Sequence, residues 1–136
     1  MERMPVKVGV GVLVWKGDKV ALVKRSGSYG FGTWSPPGGH VEFGESVLDT
    51  ARRETMEEIG AEIENLEVLG IAQDNHYITV WVRSDWASGE LKTRDAEFTE
   101  SGLFKMDDLP EPLFISFRNL MNGKLMPKPL KLGSIV

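Results

Sequence analysis

Glu54, Glu57 and Glu58 stand at i, i+3 and i+4. On a helix such positions share one face, with Cβ atoms about 5–6 Å apart. Three carboxylates that close repel one another, and without a positive partner at least one would stay protonated. Hard divalent cations, bound through oxygen, are the usual partner for such a cluster. Just ahead in the chain, Pro36, Pro37, Gly38 and Gly39 form a tight turn. A metal held on a rigid helix beside a glycine turn suggests chemistry on a phosphate-rich substrate.

The surrounding residues supply the helix. Ser46 is a candidate N-cap, and Ser46 with Asp49 resembles a capping box with the shorter acid. Leu48, Ala51, Thr55 and Ile59 form a stripe at helical spacing, so one side should face a core while the glutamates occupy the other. Gly60 suits the left-handed position that ends a helix. An acidic face alone is usually only a solvated surface.

The whole string is far more specific. From Gly39 it reads G-x5-E-x7-R-E-x-x-E-E-x-G, seven specified residues over twenty-two positions. Average composition gives a chance match at about one in 10^8 starting positions. Gly39, Glu45, Arg53, Glu54, Glu57, Glu58 and Gly60 carry the resemblance, residue by residue, to the signature box of the Nudix hydrolases, the MutT-like pyrophosphohydrolases. Thr55 and Ala61 depart from it, standing where the family has larger apolar residues, which bears on local stability rather than chemistry. The segment KRSGSYGFGTWSPPGGHVEFGES from Lys24 is similar to the lead-in of the nucleoside triphosphate pyrophosphohydrolase branch. Asn75–Val80 and Leu109-Pro110 add to the likeness, which covers roughly residues 5–122.

The resemblance implies an α/β (α+β) fold, a Nudix-type α/β/α sandwich with a mixed sheet and a loop-helix-loop box. It implies Mg²⁺, or Mn²⁺, held by Glu54, Glu57 and Glu58 with the Gly39 carbonyl. Arg53 would then pair with Glu45 and orient Glu54; the plainer alternative is an exposed pair with Glu57. Glu45 and Gly60 would be structural. Glu54 is one candidate for the general base, acting through a metal-bound water. Another acid follows the late strands in relatives; Glu97 and Glu100 are available, and Glu100 occupies the position of a metal-binding glutamate. Arg25 could fork onto a terminal phosphate. Gly38 and Gly39 would lie against the substrate, and Phe31, Trp34, His76 and Tyr77 are candidates to stack on or line a base. Aromatics at such positions are more often core. The expected activity is Mg²⁺-dependent hydrolysis of a nucleoside triphosphate to monophosphate and pyrophosphate. The alternatives are an ADP-ribose or nucleotide-sugar pyrophosphatase and a non-catalytic nucleotide-binding module; the full set of box acids argues for catalysis.

Composition is compatible with this reading. The chain has 136 residues, 41% hydrophobic and 26% charged, enough for one domain with a sizeable core, expected over 1–136. It contains no cysteine, which excludes thiol chemistry and disulfides and fits a cytoplasmic protein. No export signal is read in MERMPVKVGV. A net charge of −4 argues against a nucleic-acid polymer as partner, and no apolar run reaches membrane-spanning length. A homodimer stays open.

Residues 6–14 alternate Val with other residues as a strand does, Gly17-Asp18 turns the chain, and Lys19–Lys24 completes a hairpin. Strands are expected over Ala61–Ala72, His76–Arg83 and Leu103–Met106, with Ser84–Glu100 irregular. A short helix is expected over Ser116–Asn122, ended by Gly123, and a loosely ordered tail over 124–136.

Overall fold

A computed structural model of the chain describes residues 5–27, 29–73, 77–93 and 98–123. Its elements run β1 (Lys7–Lys16), β2 (Lys19–Arg25), β3 (Trp34–Ser35), β4 (Gly38–His40), α1 (Val47–Ile59), β5 (Ala61–Gln73), β6 (Tyr77–Gly89), β7 (Phe98–Lys105) and α2 (Ile115–Met121). The sheet has the order β3-β2-β1-β6-β5, with β4 paired to β1 and β7 to β2. β1 runs parallel to β6, while β1 with β2 and with β4, β2 with β3 and with β7, and β5 with β6 are antiparallel. The sheet is therefore mixed, as expected.

Strand alternation builds two apolar layers. Val10, Val12 and Val14 of β1 pack with Ala51 and Ile59 of α1. Leu13 of β1 packs with Leu22, Trp81, Phe117 and Leu120, on the α2 side. The sheet thus carries a helix on each face, the sandwich expected from the resemblance.

Helix α1 begins and ends as its sequence dictates. The Ser46 side chain accepts from the Asp49 N–H, the Asp49 side chain accepts from the Ser46 N–H, and Gly60 closes the helix in the left-handed region. Ala51, Thr55 and Ile59 are fully buried, but Leu48 is 37% exposed and does not complete the stripe. Thr50, on another side of the helix, is buried where its hydroxyl donates to Glu45. The Thr55 Oγ1 is buried without a hydrogen-bond partner.

Two strand expectations are corrected. Ser84–Glu100 is not irregular throughout: β6 continues to Gly89 and β7 starts at Phe98. Only Ala87–Gly89 of this stretch are exposed, since Ser84 is buried and Trp86 packs on the core, and pairing with β5 keeps the whole of it extended. Residues 94–97 and the tail from 124 lie outside the described residues.

Candidate active site

β4 lies beside β1, with Gly39 opposite Val10 and Gly38 opposite Gly11. The tight turn expected over Pro36–Gly39 is therefore not formed: Gly38 and Gly39 are extended in β4 by their pairing with β1, and this strand lies against the acidic face of α1. The Gly38 N–H donates to Glu58 Oε2 at 2.9 Å, and Glu58 is only 3% exposed. The Glu54 carboxylate occupies the space a Cβ on Gly39 would take, so a side chain there would push that carboxylate aside.

Arg53 organises the cluster. Its Nε donates to Glu45 Oε2 at 2.6 Å and its Nη2 to Glu45 Oε1 at 2.9 Å, a bidentate pair. Nη1 donates to Glu54 at 2.7 Å and to Glu57 at 3.2 Å, and Nη2 also reaches the His40 carbonyl at 3.1 Å. Glu45 in turn accepts from the Glu42 N–H and the Thr50 hydroxyl. The bond from Arg53, followed by that from the Glu42 backbone, holds the Glu45 carboxyl down at about 2. The same partnership pushes the Arg53 guanidinium up, led by Glu45. Some of the positive charge expected beside the three glutamates is therefore supplied by the protein itself. Both readings of Arg53 meet in one side chain: it pairs with Glu57, and it ties Glu45 to Glu54.

The glutamates open into a cavity of about 480 Å³. Glu54, Glu57 and Glu58 line it together with Arg53, Gly38, Gly39, His40, Arg25 and Tyr77. Tyr29, Phe114, Ser35 and Trp81 line it too, and none of these four was identified from sequence. An aromatic in a glycine-rich loop was a usable signal for Tyr29; Phe114 had none, since only the fold brings it there. A string of ring contacts follows the wall: His40 stacks on Tyr77 at 5.5 Å and 13°, Tyr29 lies 6.3 Å from Tyr77, and Phe114 meets Tyr29 edge-on at 5.4 Å.

Three expected site residues are not brought to the cavity. Glu100 lies on β7 opposite Lys24, and its carboxylate pairs with that lysine at 3.4 Å while 58% exposed. Phe31 projects from the loop after β2 with 73% of its surface in solvent. Trp34 packs edge-on against Phe104 within the α2-side core, because β3 runs along β2 and carries that ring inward. His76 and Glu97 lie outside the described residues.

The donor set suits a hard cation: the carboxylates of Glu54, Glu57 and Glu58 line one cavity with Gly39. Glu57 keeps 54% of its side chain in solvent. Among the described residues no three acids or histidines converge as a ready cage. Mg²⁺ is held through one or two carboxylates with waters and substrate phosphates, so the residues fit it without one.

A catalytic class is defined by this fold and this box together. The NUDIX domain profile matches residues 5–122. The chain belongs to that family, the Nudix hydrolases. Its relatives include the NAD-capped RNA hydrolase NudC of Pseudomonas aeruginosa, 37% identical over 102 residues, which are 73% of this chain and 36% of that protein. The chain thus spans about a third of the length of that curated relative. An ADP-ribose pyrophosphatase of Methanocaldococcus jannaschii is 32% identical over 113 residues, covering 79% of this chain and 66% of that one. Among solved structures, the MutT NUDIX hydrolase of Burkholderia pseudomallei superposes with a TM-score of 0.81 at 27% identity, covering 90% of this chain and all of that one. Among the described residues, no helix is long and apolar enough to cross a membrane.

Proposed function

We propose that this chain hydrolyses the phosphoanhydride bond of a nucleoside triphosphate, releasing nucleoside monophosphate and pyrophosphate. The observation supporting the reading is a single cavity with the box glutamates at one side, Arg25 at another and aromatic rings between. A polyphosphate chain could meet both, and a planar base could lie against the rings.

When bound by Glu54, Glu57 and Glu58 with the Gly39 carbonyl, Mg²⁺ would neutralise phosphate charge and lower the pKa of a bound water. The protein's own part is positioning. Arg53 spends its donors on Glu45, Glu54, Glu57 and the His40 carbonyl, so it fixes carboxylates rather than reaching for substrate. Glu58 is held by the Gly38 N–H of β4. Glu54 is the candidate to take a proton from the attacking water. Arg25 offers a guanidinium to the terminal phosphate.

A second reading is a nucleoside diphosphate joined to another group, since relatives bear the names ADP-ribose pyrophosphatase and NAD-capped RNA hydrolase. Both readings use the same acids and differ in what lies beyond the second phosphate. A hydrolysis screen with Mg²⁺ over nucleoside triphosphates, ADP-ribose and nucleotide sugars, with products identified, separates them. Monophosphate and pyrophosphate from a triphosphate support the first reading. Cleavage of ADP-ribose with inert triphosphates replaces it with the second, and tight binding without turnover under Mg²⁺ and Mn²⁺ would indicate a binding module.

A further inference from the structure

We propose that Phe114 is a positioning residue for Arg25, and that through this guanidinium it sets how tightly the substrate's terminal phosphate is held. The inference rests on the reading of Arg25 as a phosphate contact.

An arginine side chain is long and loses considerable rotamer freedom when fixed. A fork onto phosphate is effective only if its plane is already oriented. Here the Arg25 guanidinium carbon lies 4.4 Å from the centroid of the Phe114 ring and 6.0 Å from that of Tyr29. Its Nε donates to the Tyr29 carbonyl at 3.2 Å. The ring face attracts the guanidinium and limits where it can sit. With Nε engaged, the two Nη groups form the edge that can meet a ligand in the cavity that Arg25 and Phe114 both line.

Phe114 is itself fixed by structure remote in sequence. Its N–H donates to the Trp34 carbonyl at 2.8 Å, and the Trp34 N–H donates to the Pro112 carbonyl at 2.9 Å. The ring sits over Gly30, where a Cβ would come within 2.6 Å of Phe114 Cδ1 and where φ is +75°. Gly30 therefore serves both the turn and the ring's approach. The loop is closed by Arg25 N–H to the Thr33 carbonyl at 2.9 Å and by Gly32 N–H to the Arg25 carbonyl at 2.8 Å. The guanidinium at the end of β2, Gly30 to Thr33 and the ring before α2 are thus tied together.

The test is steady-state kinetics with Mg²⁺ on the triphosphate turned over fastest in a panel of the eight common ribo- and deoxyribonucleoside triphosphates. The variants are Arg25→Ala, Phe114→Leu, Phe114→Met, Phe114→Tyr and Arg25→Ala combined with Phe114→Leu, each checked for folding by thermal melt. Methionine keeps the volume without a ring, so one ringless variant remains if leucine fails to fold. The expected result is a KM rise of about tenfold for the ringless variants, with kcat within about twofold, and near wild-type values for tyrosine. In the Arg25→Ala background, losing the ring should add almost nothing. If Arg25→Ala raises KM and the ringless variants do not, the positioning role is overturned while the phosphate reading stands. An Arg25→Ala variant with unchanged KM sinks both. A full effect of Phe114→Leu in the Arg25→Ala background would mean that the ring touches substrate directly, which also overturns the proposal.

Discussion

Gly38 donates its backbone N–H to the Glu58 carboxylate at 2.9 Å, across twenty residues of sequence. One helical turn earlier, the Glu54 carboxylate fills the space that a side chain on Gly39 would need. Strand β4 is thus fastened to the acidic face of α1 at two successive points. Its backbone is packed against the carboxylates rather than merely leading into their helix.

Gly39→Ala should therefore fold and fail. The added methyl displaces the Glu54 carboxylate, and a shift of about 1 Å at such a group can lower kcat about a hundredfold. Kinetics alongside circular dichroism would check this; a fully active alanine variant would show that the contact is irrelevant.

Mg²⁺ should raise the melting temperature, because the folded chain brings the glutamates together and the unfolded chain does not. At a hundredfold excess over Kd the linkage is about 2.7 kcal/mol, several degrees for a chain of this size. Glu58→Gln should melt cooperatively, lose activity and show a much smaller Mg²⁺ shift in scanning fluorimetry.

Acid should weaken the fold through Glu45. Its folded pKa of about 2 lies below the ordinary 4.5, with the Arg53 bond as the leading cause. The stabilisation is complete above about 4.5 and is lost as pH falls through about 2. Urea melts between pH 6 and pH 2.5 should show this loss, and Glu45→Gln should flatten the slope over that window.

Thr55→Val should stabilise. The Thr55 hydroxyl is buried with no partner, and valine keeps the shape without it. The expected gain is about 1 kcal/mol, read from denaturant melts, with kcat unchanged.

Glu100→Gln should leave kcat within about twofold, because the carboxylate meets only exposed Lys24 among the described residues. A large loss of rate would bring Glu100 back to the site in the working enzyme.

The parts legible in the sequence are those set by neighbours along the chain. Ser46 and Asp49 cap α1, Gly60 ends it, and the i, i+3, i+4 spacing puts Glu54, Glu57 and Glu58 together, because helical geometry alone decides these contacts. The outer half of β6 carries the polar residues of a loop, and only pairing with β5 keeps it extended. Aromatic residues were the weakest ground. Trp34 and Phe31 had the composition of a base site, yet one is core and the other is in solvent. Ring chemistry is the same in both settings, so type and spacing could not separate them.

By itself, then, the sequence determined the family and the acid-bearing helix, both local matters of spacing, while the glycines ahead of it, read as a turn, are strand β4. Only the tertiary structure decided that Glu100 turns to Lys24 and that Phe114 comes to lie beneath Arg25. Those relations depend on strand pairing and on which sheet face a residue meets, and chain-remote packing of that kind leaves no periodic trace in the sequence.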